Sequence, residues 1–349
     1  GEPQTEGSHM TRWYSLLHLM VDGVCAFAMF GNFLTSQNQP MDFLLYNFCA
    51  FALQMPLGVL LDCKAPKAKN TVSCLVAVLG VLCTLLGTIT HPVVLGTGNA
   101  LFHIGGGVGT IYEDNEQHWC GKGLGIFVAP GALGLYLGTL AAKNGIAKYW
   151  LWAVCILMLA CCAAAFKQAK SKPHTAAAQT SIADNPQQPK MAGILPLCCL
   201  LVVLLRSYLG MTVTFSWKTS MLGGLAAVLA VVLGKAAGGV LAARYGIVKI
   251  STISLLMAAI AYLGAHLMPF GVAALFLFNM TMPITLYLMI CQFPNMPGFS
   301  FGFLTFGLFL GFLPACFGLP ARSNGHVAAC VGSVLSLIIL YAGIHRWRA

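Results

Sequence analysis

The sequence predicts an all-α polytopic membrane protein in which twelve transmembrane helices form two parallel six-helix repeats. Of the 349 residues, 58% are hydrophobic and only 8% are charged, and the mean hydropathy is +0.81. Soluble globular domains carry about 25% charged residues. Two further observations support the prediction. Apolar runs of membrane-spanning length recur along the chain, and one loop motif occurs in both halves.

The apolar runs are separated by polar, proline or glycine breaks. Residues 1–9 precede the first run and are interpreted as the remnant of an expression tag. The longest polar stretch, residues 167–190, is rich in Ala, Gln, Pro and Lys, a composition typical of a linker. It divides the chain into an N-terminal six-helix bundle over residues 10–166 and a C-terminal one over residues 191–349. The predicted spans are 12–35, 41–61, 71–89, 92–112, 123–142, 149–166, 192–215, 220–242, 250–267, 271–291, 299–318 and 326–345.

The distribution of basic residues predicts the orientation in the membrane. An even number of spans puts both termini on one side. Of the 19 lysines and arginines, thirteen fall on that side, four on the other and two inside spans. Because cytoplasmic loops are enriched in Lys and Arg, we expect both termini and the 167–190 linker on the cytoplasmic side of the cell membrane. The net charge of +10 is then mostly a topology signal, and nucleic acid is not predicted as a partner.

A short motif follows the second span and recurs after the eighth. GVLLDCKAPK begins at Gly58 and contains Asp62 and Lys64, and GVLAARYGIVK begins at Gly239 and contains Arg244. Both copies give Gly-Val-Leu and then a short basic turn between helices of corresponding rank. Parallel repeats are one plan of secondary transporters, in which the substrate site lies between the halves near the membrane midplane.

The 6 + 6 layout, the basic central linker and the Gly-x-x-x-Asp-basic loop resemble the major facilitator superfamily of transporters over essentially the whole native chain. In that family this loop acts in the conformational switch, which implies the same role for Gly58, Asp62, Lys64, Gly239 and Arg244. A carboxylate at a helix end can pair with basic residues or a helix N-terminus of the other half in only one of two rocking states. An ordinary solvated loop is the alternative.

The first span contains His18 and Asp22 at positions i and i+4, hence on one face of the helix. A carboxylate inside a membrane is costly unless it faces a cavity or a partner, so such a residue indicates function. Asp22 is the predicted proton carrier, with His18 as its hydrogen-bond partner or as a substrate contact. A static hydrogen bond between packed helices is the alternative.

The fourth span, GTGNALFHIGGGVG, places Asn99 and His103 at i and i+4 before three glycines. Glycines allow close packing or a bend. His103 is predicted to share in proton coupling, and Asn99 to bind substrate. Together with H-x-x-x-D in the first span, the Phe-His pair followed by small residues resembles the fosmidomycin-resistance branch of the superfamily, which implies efflux of small molecules in exchange for protons. The acidic residues after this span are expected to form a solvated turn: Glu113, Asp114 and Glu116.

The fifth span reads GIFVAPGALGLYLG, in which Gly125, Pro130 and Gly134 are spaced like the glycine-proline motif of antiporters. We expect the helix to bend at Pro130 and to pack tightly against its neighbours, which would close a leak pathway during exchange. A generic membrane helix rich in glycine and proline is the alternative.

Two cations lie inside spans of the second half, and both are candidate substrate-binding residues. Arg206 is too central in the seventh span to reach the interface by snorkelling. We expect it to pair with a carboxylate such as Asp22 or to bind an anionic substrate; a structural pair with backbone carbonyls is the alternative. Lys235, in the eighth span, either lines the cavity or snorkels. The excess of positive charge inside the spans favours an anionic or zwitterionic substrate.

These observations predict a secondary active transporter, not an enzyme. It would move a small molecule by alternating access, driven by protons, with efflux as the expected direction, and act as a monomer in the lipid bilayer. Neither a cofactor nor a resident metal is predicted, since the fourteen cysteines lie mostly inside apolar runs. One alternative is a copper-like transition-metal transporter using Met, Cys and His. Another is an intramembrane enzyme, although no H-E-x-x-H or nucleophile motif is present. A third is a sensor that keeps the fold without transport.

Overall fold

The computed structural model describes residues 10–35, 39–64, 69–146, 149–171, 193–317 and 325–348. These residues form twelve helical segments, which confirms the predicted fold class. Ten of the segments are long and apolar enough to cross a membrane; the other two are α4 and the 17-residue α9. The segments are α1 Met10–Phe33, α2 39–64, α3 Lys69–Gly87, α4 Pro92–Glu116, α5 Lys122–Lys143, α6 Tyr149–Ser171, α7 Leu195–Thr212, α8 Met221–Tyr245, α9 Ile247–Leu263, α10 Met268–Gln292, α11 Pro297–Cys316 and α12 Gly325–Arg348.

Two helices extend beyond their predicted ends. α4 continues to Glu116 instead of ending at residue 112, so its acidic residues belong to the helix and not to a turn. α6 continues to Ser171, so the first five residues of the predicted linker are helical. The remainder of that linker, 172–190, and the predicted tag remnant, 1–9, lie outside the described residues.

Several helices contain irregular turns, and prolines account for two of them. α5 breaks at Ala129, where Pro130 starts the second part of the helix. A proline has no backbone N–H for the carbonyl four residues earlier. In α2, Pro56 likewise leaves the carbonyl of Ala52 without its partner, and Ala52 is the last residue of a π-helical turn. Both breaks lie in helices that face the other half of the molecule.

The first six and the last six helices meet at both ends of the bundle. At the end where α1 begins and α12 ends, here called the terminus side, α2 packs against α11 and α5 against α8. At the opposite side, α2 and α11 also meet, with ring centroids 5.3 Å apart for Phe43 and Phe312 and 5.7 Å apart for Phe48 and Phe309. The described residues thus enclose the centre of the bundle from both sides.

Candidate functional site

Four polar side chains from α1 and α4 meet in the middle of the first half. His18 Nε2 lies 3.2 Å from Asp22 Oδ2, and His103 Nε2 lies 3.8 Å from Asp22 Oδ1. Asn99 Nδ2 donates a hydrogen bond to Asp22 Oδ1 at 3.0 Å. The two imidazoles face each other with 2.9 Å between their Nε2 atoms. The i, i+4 pairs of two helices therefore form one cluster, named here the His-Asp cluster (His18, Asp22, Asn99, His103).

Backbone carbonyls fix the tautomers of both histidines. His18 Nδ1 lies 2.7 Å from the carbonyl oxygen of Phe127, and His103 Nδ1 lies 2.9 Å from that of Asn99. Because a carbonyl oxygen only accepts, we assign a hydrogen to Nδ1 of each ring. Two neutral rings would then point bare Nε2 lone pairs at each other across 2.9 Å. A single proton between these nitrogens turns that repulsion into a charge-assisted hydrogen bond, and Asp22 is its counter-ion.

The break in α5 makes the carbonyl at His18 accessible. Pro130 removes the N–H that would bond the carbonyl of Ile126. Ser15 Oγ donates chiefly to the carbonyl of Thr11 at 2.7 Å and makes a second, longer hydrogen bond to the carbonyl of Ile126 at 3.2 Å. The next carbonyl, of Phe127, accepts the Nδ1–H of His18. The bend expected at Pro130 is present, and it directs two successive carbonyls toward α1. The contribution of Pro130 is therefore to position His18 through the carbonyl of Phe127.

Glycines of α5 set the distance between α5 and α1. An added Cβ at Gly131 would collide with His18 Nε2, and it would lie 2.5 Å from Asp22 Oδ2. One turn later, Gly134 packs directly on the carbonyl of Leu19. Sequence reasoning missed Gly131, although its position directly after Pro130 is a signal that could have identified it. Close approach of α5 thus covers the His-Asp cluster with backbone and leaves no room for a side chain.

The side chain of Asn99 forms its hydrogen bond within the His-Asp cluster. It is 3% exposed, and besides Asp22 its amide group reaches Cys25 Sγ at 3.5 Å. The predicted substrate contact through Asn99 would require these hydrogen bonds to change. As found, Asn99 orients the Asp22 carboxylate, and its main-chain carbonyl orients His103.

Arg206 lies deep in α7 without a carboxylate partner. It is 7% exposed, and its Nη1 donates to Thr281 Oγ1 at 3.4 Å. Among the described residues, no carboxylate oxygen lies within 4 Å of it, so the expected pair with Asp22 is not formed. A cavity of about 30 Å³ borders its guanidinium, lined also by Val128, Thr285 and Phe301. Such a cavity has the size of a water molecule, and it places a buried cation beside the junction of the two halves.

Lys235 is half-buried in α8 and completes the charges near the centre. Its ammonium group interacts electrostatically with Asp22, His103 and Arg206. Lining the central region therefore describes Lys235 better than snorkelling to the surface. The centre holds two cations from the second half and one carboxylate with two imidazoles from the first.

Three of the predicted switch residues lie where the halves touch on the terminus side: Gly58, Asp62 and Gly239. Asp62, in the last turn of α2, accepts hydrogen bonds from the backbone N–H groups of Gly298 and Phe299, both at 2.8 Å. It therefore caps the N-terminus of α11 in the other half. Gly58 packs directly against Gly298, and a Cβ at either position would strike the other backbone.

The second copy of the motif makes a corresponding contact with a different partner. Gly239 packs against α5, where its Cα lies 3.0 Å from the position of a Cβ added at Gly125. Arg244 stacks over the ring of Tyr245, with its Cζ 5.3 Å from the ring centroid. The side chain of Lys64 lies outside the described part of the chain. Both motif glycines thus permit backbone contact between the halves, and Asp62 adds a charged cap to one of the two contacts.

The acidic residues after the fourth predicted span are not a solvated turn. Glu113 and Asp114 are each 2% exposed. Glu113 accepts from the backbone N–H groups of Met10 and Thr11 at 3.0 and 2.7 Å, and Asp114 accepts from those of Gly121 and Gly123, both at 2.7 Å. Each carboxylate caps the N-terminus of a neighbouring helix, and these hydrogen bonds replace the water that the sequence-based expectation assumed.

The His-Asp cluster is also the one group of His, Cys, Asp or Glu in the described residues whose ligand atoms converge. Three ligand atoms, one from each of His18, Asp22 and His103, lie within 4.8 Å of one another. The space between them suits a small cation, and a proton satisfies the hydrogen-bond geometry described above. The group contains none of the cysteines that the copper-like alternative invokes.

No protein-family model and no curated protein sequence matches the chain. Solved structures do match over nearly its full length. The human organic anion transporter MFSD10 (TETRAN) has a TM-score of 0.64 at 14% identity, covering 97% of this chain and 100% of its own. The Escherichia coli fucose:proton symporter FucP has a TM-score of 0.54 at 12% identity, covering 95% of this chain and 98% of its own.

A bacterial homologue of the iron transporter ferroportin, in its outward-facing state, has a TM-score of 0.59 at 12% identity and covers 98% of this chain and 100% of its own. These neighbours are transporters. Identities this low relate the architecture of the chains and not their substrates. The chain therefore has the fold of the major facilitator superfamily transporters.

Proposed function

We propose that the chain is a proton-coupled secondary transporter that moves a small anionic or zwitterionic molecule by alternating access. The observation that carries the proposal is the hydrogen-bond geometry of the His-Asp cluster. Two imidazoles with their Nδ1–H groups committed to carbonyls meet at a 2.9 Å contact that calls for one proton, beside a carboxylate. Ionisable groups inside a membrane bundle mark proton pathways more often than structural contacts.

Gain and loss of this proton change the charge of the cluster by one unit. With the proton between His18 and His103 and Asp22 ionised, the cluster is neutral. Without the proton it carries one negative charge in a region of low dielectric, where charge interactions are strong. The negative charge attracts Lys235 and repels an anion near Arg206. Proton occupancy is therefore linked to the binding of a charged substrate, which is the requirement for coupled transport.

The charge on the substrate decides the direction of coupling. A purely anionic substrate at Arg206 binds best while the cluster holds its proton, which gives symport. A zwitterion whose ammonium group replaces the proton beside Asp22 gives exchange instead. We propose the second arrangement, with export, because the resemblance of the first and fourth helices to the fosmidomycin-resistance branch implies export in exchange for protons.

Arg206 is the proposed anchor for the anionic group, and Lys235 its second cation. Arg206 is buried without a carboxylate partner among the described residues, and its neighbours across the cavity are threonines and apolar side chains. A buried cation of this kind is costly unless it receives an anion. Among the structural neighbours, MFSD10 is an organic anion transporter and FucP a fucose:proton symporter. Anionic cargo and proton coupling are thus both compatible with this architecture.

Alternating access is proposed to occur by rocking of residues 10–166 against residues 191–349. Asp62 stabilises the state closed on the terminus side, because its hydrogen bonds to Gly298 and Phe299 exist only while the halves touch. Gly58 and Gly239 permit the backbone contacts of that state. Lys64 and Arg244 are proposed to face acidic partners or headgroups in the other state. The count of basic residues supports a cytoplasmic terminus side in the cell membrane.

The test is proton flux in proteoliposomes containing a pH-sensitive dye. A panel of organic anions and zwitterions, including phosphonates, is applied as an outward or inward gradient. The wild type is expected to move protons with at least one of them, and the sign of the pH change gives symport or exchange. Asp22→Asn and His103→Gln are expected to reduce this proton movement to the level of empty liposomes.

The control is His266→Gln, since His266 is an exposed histidine in the loop between α9 and α10. It should leave proton flux unchanged. Proton movement that persists in Asp22→Asn at the wild-type rate would contradict the proposal. Flux of a transition metal such as copper without proton movement would instead favour the metal-transporter alternative.

A further inference from the structure

A groove on the terminus side, between the start of α1 and the start of α5, has no part in the transport scheme. It encloses about 280 Å³ and is lined by Thr11, Arg12, Trp119, Lys122 and Ile126. We propose that this groove binds an anionic phospholipid, with the lipid phosphate between Arg12 and Lys122 and an acyl chain against the apolar part of both helices.

The two cations of the groove are available to a ligand. Arg12 lies in the first turn of α1, Lys122 is the first residue of α5, and both side chains are exposed. No carboxylate oxygen in the described residues lies within 4 Å of either cation. The acids below them, Glu113 and Asp114, direct their oxygens to backbone N–H groups at the starts of α1 and α5. The groove therefore presents positive charge that an anion can neutralise.

Along both helices a cation is followed one turn later by an apolar side chain, just as the phosphate of a phospholipid is followed by its acyl chains. On α1, Arg12 and Leu16 are i and i+4, and on α5 Lys122 and Ile126 are i and i+4, so each cation lies one turn above an apolar side chain on the same face. Leu16 is 40% exposed. A free phosphate ion would use only the upper turn, whereas a phospholipid contacts both turns.

Trp119 contributes an aromatic ring to the groove beside Lys122. Lys122 Nζ lies 5.9 Å from the centroid of the Trp119 ring, which keeps the ammonium group beside the groove. Tryptophan is enriched where the headgroups of a membrane meet its hydrocarbon, because its ring is apolar and its N–H is polar. The groove is also held in place before any lipid arrives, since Ser15 Oγ donates to the carbonyl of Ile126 and Thr11 Oγ1 to Glu113.

The experiment measures quenching of Trp119 fluorescence by lipids with brominated acyl chains. The detergent-solubilised full chain is titrated with brominated phosphatidylglycerol, with brominated phosphatidylcholine, and with unbrominated phosphatidylglycerol plus inorganic phosphate as competitor. The signal assigned to the groove is the quenching that disappears in Trp119→Phe. The wild type should be quenched at lower concentrations of phosphatidylglycerol than of phosphatidylcholine.

The double variant Arg12→Gln/Lys122→Gln should weaken phosphatidylglycerol binding about twenty-fivefold, at about fivefold for each cation near the headgroup. Lys167→Gln/Lys170→Gln, which removes two exposed lysines from α6 on the same side, should bind like the wild type. Arg12→Lys/Lys122→Arg, which keeps both charges, should also bind, so a folding defect is distinguishable from loss of the site. Equal quenching by both lipids, unchanged binding in the double variant, or competition by inorganic phosphate at the same concentration as the lipid would overturn the proposal.

Discussion

The chemistry of His18 and His103 depends on what lies on the far side of each ring. A histidine in isolation can present either nitrogen as a donor. Here the carbonyls of Phe127 and Asn99 occupy both Nδ1 positions, at 2.7 and 2.9 Å, so the two Nε2 atoms can act only on each other and on Asp22. The proposed proton binding at this point therefore depends on main-chain geometry as well as on side-chain identity.

At the residue scale, Gly131→Ala is expected to disrupt the His-Asp cluster. The new methyl group collides with His18 Nε2 and would lie 2.5 Å from Asp22 Oδ2. Overpacking of this kind costs about 1–3 kcal/mol and displaces the side chains that it meets. Proton-coupled flux in proteoliposomes should be lost while the protein still purifies as a folded species. Gly210→Ala is the matched control, because an added Cβ there meets no atom within 4 Å. Wild-type flux in Gly131→Ala would argue against a close-packed cluster.

Residue spacing predicts part of this site. The i, i+4 positions of His18 with Asp22 and of Asn99 with His103 place each pair on one helix face, and the structure joins the pairs. The spacing of residues along one helix does not show which groups of a distant helix lie beside it. The Phe127 carbonyl and the contact at Gly131 were missed for this reason, and Arg206 has Thr281 where a carboxylate was expected.

At the element scale, the break in α5 interrupts the regular hydrogen bonds of the helix and leaves the carbonyls of Ile126 and Phe127 accessible to α1. Pro130→Ala restores an N–H for the carbonyl of Ile126, which now accepts from Ser15. Replacement of a proline inside a helix by alanine gains up to about 3 kcal/mol in helix propensity. We expect unchanged or higher thermal stability together with slower proton-coupled flux and an altered pH profile, because His18 loses the orientation of its Nδ1 acceptor.

The control for this change is Pro314→Ala, since Pro314 lies inside α11. That variant should gain a similar N–H without a change in the pH profile of flux. A Pro130→Ala protein whose pH profile matches the wild type would show that the break in α5 has no influence on His18.

Hydropathy located the helices well and placed the end of α4 incorrectly. An apolar-run criterion stops before Glu113, because three acids follow in four residues. In the structure, α4 continues to Glu116 and buries Glu113 and Asp114, since each carboxylate receives backbone N–H groups from the start of another helix. Those donors lie about 100 residues away in one case, at Met10, so no local pattern reveals them.

At the scale of the whole molecule, Asp62 is expected to control how firmly the two halves close on the terminus side. Asp62→Ala removes both oxygens that cap α11, and replacement of a capping residue by alanine costs about 1 kcal/mol. Hydrogen exchange followed by mass spectrometry should show the start of α11, Gly298 and Phe299, exchanging about fivefold faster for each kcal/mol lost. Glu116→Gln is the control, because Glu116 bonds Asn70 within the first half. Equal acceleration in both variants would contradict a specific role for Asp62.

The internal repeat predicts which residues of the motif lie where the halves meet, but it does not predict their partner residues in the other half. The motif glycines Gly58 and Gly239 were identified from the repeated Gly-Val-Leu, and each packs against the other half. Their partners, Gly298 and Gly125, follow from the three-dimensional pairing of α2 with α11 and of α5 with α8. Membrane helices approach closely wherever small residues permit it, and this chain has 38 glycines, so composition alone leaves many pairings open.

The two contacts between the halves on the terminus side, α2–α11 and α5–α8, differ in where the helix cap comes from. α11 takes its cap from Asp62 of the opposite half, whereas α5 takes its cap from Asp114 of its own half, and Ala243 stands where the second motif would hold an acid. Separation of the halves therefore leaves the backbone N–H groups at the start of α11 without their cap, whereas those at the start of α5 keep theirs. We therefore expect the α5–α8 contact to separate before the α2–α11 contact, so that solvent first enters along α5 and α8, past Lys235 toward the His-Asp cluster.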